Sequence, residues 1–335
     1  MLKNKSILVT GGAGYVGSGL LRELLAEGCY VTCVDNLMFG GESLLDIWYN
    51  KNFTFIKCDI NDYKELDLIF NKNNFDSVIH LAAIVGDPAC KLYSDLASKT
   101  NWTSSKWLIE KSKSAGVSKF LFASTCSNYG KMDDPEAYVD ENSTLAPVSL
   151  YAELKVKFEN YMLTEIKKND EFSPTSLRFS TVYGLSPRMR FDLTVNEFTK
   201  DLALGKELII FGEQFWRPYC HVKDFSNAFI TILKAPIEKV AYNVFNVGDT
   251  KENYTKQMLI NEIKKVLPNS KIKYIKKNDD PRDYRVNCDK IKNELGFKIS
   301  MTVPDGIVEI KHLIENQLIK NPEDQKYYNI PHERK

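Results

Sequence analysis

A doubly wound parallel α/β sheet, with a smaller α/β lobe on its carboxyl-terminal side, is the fold this sequence predicts. Three observations predict it. Short apolar runs rich in Val, Ile and Phe recur over 6–10, 30–35, 53–58, 77–81 and 119–124. Helix-period stretches over 16–27, 64–70 and 95–114 fall between them. A glycine cluster, Gly11-Gly12-Ala13-Gly14-Tyr15-Val16-Gly17, joins the first run directly to the first helix.

Each run reads as a strand buried on both faces, because a strand with one wet face alternates apolar and polar residues and these runs are nearly continuous. Strand–helix alternation then lays parallel strands side by side with helices above and below. After about residue 183 the rhythm loosens. Helices over 193–204, 254–266 and 303–317 mix with short strands over 208–211 and 271–275. The stretch 222–233, followed by 242–246, has the helix–strand form of a return to the main sheet. The predicted organisation is a first domain over 1–182, to which 221–249 returns, and a second lobe built from 183–220 and 250–320. A polar tail over 321–335 is either docked on a partner subunit or disordered.

Composition narrows the function classes. The 335 residues are 43% hydrophobic and 27% charged, enough for a large core in a soluble protein. Lys plus Arg (45) nearly cancels Asp plus Glu (44), so there is no broad basic field to recruit nucleic acid or an anionic membrane. Any phosphate must be held by a local site. No apolar run approaches the roughly 20 residues of a membrane helix, and the first strand starts too early to leave room for a signal peptide. The seven cysteines include no C-x-x-C pair, which predicts neither a disulfide framework nor a zinc or other metal site. The expected location is the cytoplasm.

The glycine cluster is the first candidate site. Its backbone must turn tightly and approach a pyrophosphate, while the helix amino terminus offers N–H groups and a favourable dipole. A glycine pattern alone marks many turns. Here Asp35 ends the second strand 18 residues after Gly17, where a carboxylate accepts hydrogen bonds from ribose hydroxyls and repels a 2′-phosphate. No arginine follows Asp35, so this Rossmann pattern predicts NAD rather than NADP. The predicted cofactor residues are Gly11, Gly14, Tyr15, Val16, Gly17, Asp35, Asn36 and Leu37. Asp59 and Ile60 after the third strand, and Leu81, Ala82 and Ala83 after the fourth, join them.

Tyr151-Ala-Glu-Leu-Lys155 puts a phenol and an ammonium on one face of a helix start. A tyrosine near pKa 10 is a poor base at neutral pH, and an ammonium beside it favours the phenolate. Tyr151 then takes the proton of a substrate hydroxyl as the carbon beneath gives its hydride to NAD. Lys155 also reaches the nicotinamide ribose. On its own such a pair is more often a solvated helix face. Ser124-Thr125-Cys126-Ser127-Asn128-Tyr129-Gly130 changes that, because it lies where an open α/β sheet binds ligands and presents the Thr125 hydroxyl to the same substrate oxygen.

These residues, in this order, resemble the extended short-chain dehydrogenase/reductases, above all the nucleotide-sugar epimerases and dehydratases, over roughly 5–298. The resemblance implies that Thr125, Tyr151 and Lys155 are catalytic and that Asn101 supports the cofactor side. It also implies that Thr181 stands where many members place an asparagine near the substrate diphosphate, and that Arg217 and Arg282 grip a nucleotide phosphate. The 4,6-dehydratases carry Asp-Glu directly after the threonine; Cys126 and Ser127 stand here, which disfavours that elimination. The segments 84–88 and 184–194 resemble a bacterial subgroup that oxidises C4 of a GDP-heptose for surface polysaccharides. Arg188 and Arg190 of the second segment are either contacts for substrate phosphate or loop charges. The family commonly dimerises through a four-helix contact, which would use the helices carrying Trp102, Leu108, Phe158 and Met162; an intramolecular core role fits these residues equally. The function this implies is NAD-dependent oxidation at C4 of a nucleotide sugar, as a 4-dehydrogenase or a 4-epimerase, by a homodimer. The alternatives are a non-catalytic NAD sensor, which would often lack the Tyr/Lys pair, and a dehydrogenase of a hydrophobic alcohol, which would not need the arginines.

Overall fold

The computed structural model describes residues 2–330 apart from 133, 135–136, 169–170 and 277–281. Its strands are β1 (Ser6–Thr10), β2 (Tyr30–Asp35), β3 (Phe53–Lys57), β4 (Ser77–His80), β5 (Lys119–Thr125), β6 (Ser173–Phe179), β7 (Thr181–Tyr183), β8 (Leu208–Phe211), β9 (Trp216–His221), β10 (Asn243–Val247), β11 (Asn253–Thr255) and β12 (Ile272–Ile275). Its helices are α1 (Tyr15–Ala26), α2 (Tyr63–Lys72), α3 (Asp87–Leu92), α4 (Ser94–Ser98), α5 (Ser105–Ser114), α6 (Leu150–Asn160), α7 (Thr194–Ala203), α8 (Val222–Lys234), α9 (Ile237–Val240), α10 (Lys256–Val266), α11 (Asp289–Leu295) and α12 (Val303–Glu315).

Seven strands form one parallel sheet in the order β10-β6-β5-β4-β1-β2-β3. The order runs outward in both directions from β1 and β4, and the crevice beyond their carboxyl ends is where such sheets take ligands. The continuous apolar runs follow from burial on both faces. Ile7 and Val9 of β1 point into a core with Leu20, Leu24, Phe225 and Phe229, from α1 and α8. Leu8 between them points the other way, into a core with Val34, Val78, Phe120 and Phe158. α8 packs along α1, and β10 pairs with β6 from Asn243↔Thr175 to Val247↔Phe179, at the edge of the main sheet.

The remaining strands form two small sheets, β11-β9-β7 and β12-β8. A third core of Tyr183, Tyr219, Leu259, Ile263 and Ile307 gathers them with α7, α10 and α12. The three-residue strands β7 and β11 escape sequence reading because they are too short to show a period.

Two expectations need correction. The single helix predicted over 95–114 is α4 and α5 joined by a π-helical turn over Lys99–Ser104, a form enriched at functional sites. Of the two roles left open for Leu108, Phe158 and Met162, the intramolecular one is seen: all three are fully buried in the core of this chain. The described part of the tail docks on its own chain: Lys200 Nζ donates to the Tyr328 hydroxyl at 3.0 Å, and the Asn329 amide to Asp192 Oδ2 at 3.0 Å. The last five residues of that predicted tail, 331–335, lie outside the described residues. Among the described residues no helix is long and apolar enough to cross a membrane, and all seven cysteines are buried free thiols.

Candidate active site

One cleft runs along the carboxyl edge of the main sheet, from the glycine turn to the start of α6. The turn is built for close approach. Gly11 has φ +75°, and a Cβ there would sit 2.6 Å from the Ala82 backbone nitrogen. A Cβ on Gly17 would sit 2.4 Å from the Gly11 carbonyl oxygen, so α1 could not start so near β1 with any other residue. Gly14 precedes the first turn of α1, which carries no side-chain cap and no acidic residue, leaving the amino end of a twelve-residue helix open to an anion.

The Asp35 carboxylate accepts from the Leu37 amide at 2.8 Å and the Ala13 amide at 3.0 Å, which fixes it at the cleft wall with lone pairs to spare. Burial raises its pKa, and the two backbone donors act against that rise. Next to it, Asp59 accepts from Asn36 at 2.9 Å and from the Asn61 side chain at 2.7 Å. Burial opposes its charge, yet these amides hold Asp59 below the usual carboxylate range. Ile60, Leu81, Ala82, Ala83 and Val16 complete this wall.

At the other end Thr125 closes β5, its hydroxyl accepting from the Ser127 amide at 3.1 Å. Ser149 caps α6 by accepting from the Ala152 amide at 3.3 Å, and that helix start brings Tyr151 and Lys155 into the cleft with Thr125. Lys155 Nζ donates to the Ala123 carbonyl at 2.7 Å, lies 4.5 Å from the Phe122 ring centroid and 5.8 Å from that of Tyr151. The charge balance differs from the expectation that Lys155 lowers the Tyr151 pKa. Burial pushes the Tyr151 phenol well above its ordinary value, with Cys90 and Asp87 adding to it, while Arg190 and Thr125 pull it back. Burial also brings the Lys155 ammonium down to about 8.

Not every predicted residue reaches the cleft. Leu37, at φ +60°, turns its side chain into the core beneath the turn, so only its amide serves the site. Tyr15 touches the cleft, but its hydroxyl donates to the Gly184 carbonyl at 2.6 Å and ties α1 to the segment after β7. Asn101 lies behind the wall in the π-helical turn, holding both the amide and the carbonyl of Ile84 at 2.8 and 2.9 Å. Thr181 is paired in β7 with Tyr219; its neighbours Ser180 and Val182 line the cleft instead. Arg217 and Arg282 also stand outside it. Arg217 packs 5.6 Å from the Tyr284 ring centroid, and Tyr284 reaches Ser127 at 3.5 Å. Arg282 pairs with Asp87 at 2.8 Å, and Asp87 accepts from Ser149 at 2.6 Å, so this arginine is linked to the cap of the Tyr151 helix. Arg188 and Arg190 do line the cleft; Arg190 is held by Asp192 through two bonds of 2.8 and 2.9 Å.

Sequence reading missed Phe39, Ser124, Phe179, Ser180, Phe225 and Asn329, which also line the cleft. Ser124 is the penultimate residue of β5 and Ser180 directly follows β6, so both were within reach of the strand-end rule. Asn329 had no local signal, since only tertiary folding brings it there.

Residues 7–248 match the family described as "NAD dependent epimerase/dehydratase family". A probable UDP-arabinose 4-epimerase of Oryza sativa subsp. japonica is 30% identical over 88% of this chain and 78% of its own. The UDP-glucose 4-epimerase of Thermotoga maritima, solved with UDP-glucose, superposes with a TM-score of 0.82 at 28% identity, covering 93% of this chain and 99% of its own. The UDP-glucuronic acid 4-epimerase of Bacillus cereus, solved with UDP-glucuronic acid and NAD, gives 0.81 at 25% identity over 93% and 99%. The turn that admits no Cβ at Gly11 or Gly17, the open end of α1 and the Asp35 carboxylate fit the same dinucleotide. The chain belongs to the NAD-dependent epimerase/dehydratase family, and NAD is its cofactor.

Proposed function

We propose that this protein is a 4-epimerase of a nucleotide-activated sugar, with Tyr151 as the base and acid at the C4 hydroxyl. The observation that carries the reading is the convergence of Thr125, Tyr151 and Lys155 in the cleft that begins at the glycine turn. When bound, NAD supplies the ring that accepts and gives back hydride. Thr125 orients the sugar hydroxyl, Tyr151 takes and returns its proton, and Lys155, tethered to the Ala123 carbonyl, reaches toward the ribose side. The family relatives named above act on UDP-linked sugars, which supports UDP as the nucleotide. Arg217 and Arg282 stand with Tyr284 beside Ser127 and the α6 cap, and we assign them to the nucleotide phosphates. In this reading the main sheet with its returning strand holds the cofactor and the smaller sheets hold the nucleotide.

Elimination of water across C5 and C6 is disfavoured. Cys126 is buried, with Sγ directed to the Arg178 carbonyl at 3.2 Å, and burial raises its pKa, so it has no acid–base role at neutral pH. A second reading, net 4-dehydrogenation of a GDP-heptose, rests on the segments 84–88 and 184–194. Product analysis by NMR with NADH absorbance, against UDP-, dTDP- and GDP-linked hexoses and a GDP-heptose, separates the two. A C4 stereoisomer without net NADH supports the epimerase; a 4-keto product with stoichiometric NADH supports the dehydrogenase. Tyr151→Phe is expected to lose about 10²–10⁴-fold in turnover while retaining NAD. Near-normal turnover would remove Tyr151 from the chemistry.

A further inference from the structure

Arg188 is 7% exposed and lines the cleft. Its Nη1 donates to Asn329 Oδ1 at 2.8 Å, and its guanidinium lies 4.3 Å from the Phe39 ring centroid. Its amide donates to Ser18 Oγ, in the first turns of α1, at 3.4 Å. These contacts fix the side chain between the start of α1 and the loop that follows β2. Nε and Nη2, the two donors of one guanidinium edge, are buried and have no acceptor among the described residues. Burial and the nearby Arg190 bring its pKa down to about 10, which leaves it a cation at neutral pH. Arg190, by contrast, has its charge matched by Asp192.

A buried guanidinium edge without acceptors is costly unless a ligand meets it. The amino end of α1, which lines the same cleft, has no side-chain cap and no acidic residue in its first turn. An anion lying on that helix end meets backbone N–H groups on one side and a two-pronged donor on the other. We propose that Arg188 clamps the diphosphate of the bound dinucleotide, and does not contact the substrate phosphate. Asn329 is its positioning residue: by holding Nη1 it leaves the Nε–Nη2 edge to the ligand. The inference rests on NAD binding alone, so a failure to turn over any sugar leaves it standing.

The test is calorimetric titration of the full chain, freed of nucleotide, with NAD⁺, ADP-ribose, adenosine and UDP. Arg188→Met is expected to weaken NAD⁺ and ADP-ribose by about ten- to a hundred-fold, with adenosine and UDP unchanged. Arg188→Lys restores part of the loss, because an ammonium keeps the charge and not the fork. Asn329→Ala gives a smaller loss with the same ligand pattern. Weakened UDP with unchanged NAD⁺ would assign Arg188 to substrate and overturn the proposal. Equal weakening of adenosine and NAD⁺ would overturn it too, since the contact would then not be to phosphate. If Arg188→Met does not fold, Arg188→Lys carries the same four-ligand comparison.

Discussion

His80 ends β4 directly beneath the cofactor wall, yet both its ring nitrogens are already engaged, by Thr10 Oγ1 and Ser105 Oγ, each at 2.8 Å. Phe120, Phe122 and Phe158 surround it, and burial lowers its pKa to about 3. The folded protein therefore stays unprotonated here down to about pH 3, while the unfolded chain takes up a proton below about pH 6.5. The unfolded state binds more protons throughout that window, so stability falls as pH drops, by up to about 1.4 kcal/mol per unit from this group. Urea denaturation at pH 7, 5.5 and 4.5 is expected to show a shallower acid loss for His80→Gln than for the unaltered protein. Equal slopes would mean that His80 is not held neutral. At this scale the sequence discloses residues whose partners are near in the chain. Tyr151 and Lys155 are legible because four residues make one helical turn. Arg188 is ambiguous because the group that orients it, Asn329, is 141 positions away.

α6 presents Tyr151, and it is fastened at both ends. Ser149 caps its start, and near its finish Glu159, 1% exposed, pairs with Arg178 of β6 at 2.6 Å. Arg178 also donates to the Tyr129 hydroxyl at 2.9 Å, so one buried network joins helix, strand and the turn after Thr125. Glu159→Ala leaves a guanidinium buried without its counter-charge and is expected to cost about 3–5 kcal/mol in denaturant unfolding. A loss below about 1 kcal/mol would show that the network does not anchor the helix. Most strands of the main sheet are legible as elements because burial on both faces leaves continuous apolar runs; β6, Ser-Pro-Thr-Ser-Leu-Arg-Phe, is equally buried but too polar in sequence to show one. The π-helical turn over Lys99–Ser104 is not legible, because a local change of helical pitch leaves the amphipathic pattern of 95–114 intact.

Across the whole molecule, the cleft draws on parts of the chain remote from one another: the turn at 11–17, the strand end at 125, the helix start at 151, the segment at 188–190 and Asn329. The sequence order of glycine turn, acidic strand end, threonine and Tyr/Lys pair is readable because the first three sit at strand ends of one parallel sheet and the pair shares one face of a helix start. The placement of Arg217 and Arg282 away from the cleft is not readable, since it depends on how the small β11-β9-β7 sheet and the 282–286 segment pack. In the proposed 4-epimerase reaction the hydrogen taken from C4 would be returned to the same carbon. The most direct test is turnover of a UDP-hexose deuterated at C4, with the product read by NMR and mass spectrometry. A 4-epimerase gives the C4 epimer with deuterium retained at C4 and no net NADH. Loss of the label to a 4-keto product with stoichiometric NADH, or a product altered at another carbon, would contradict that reading.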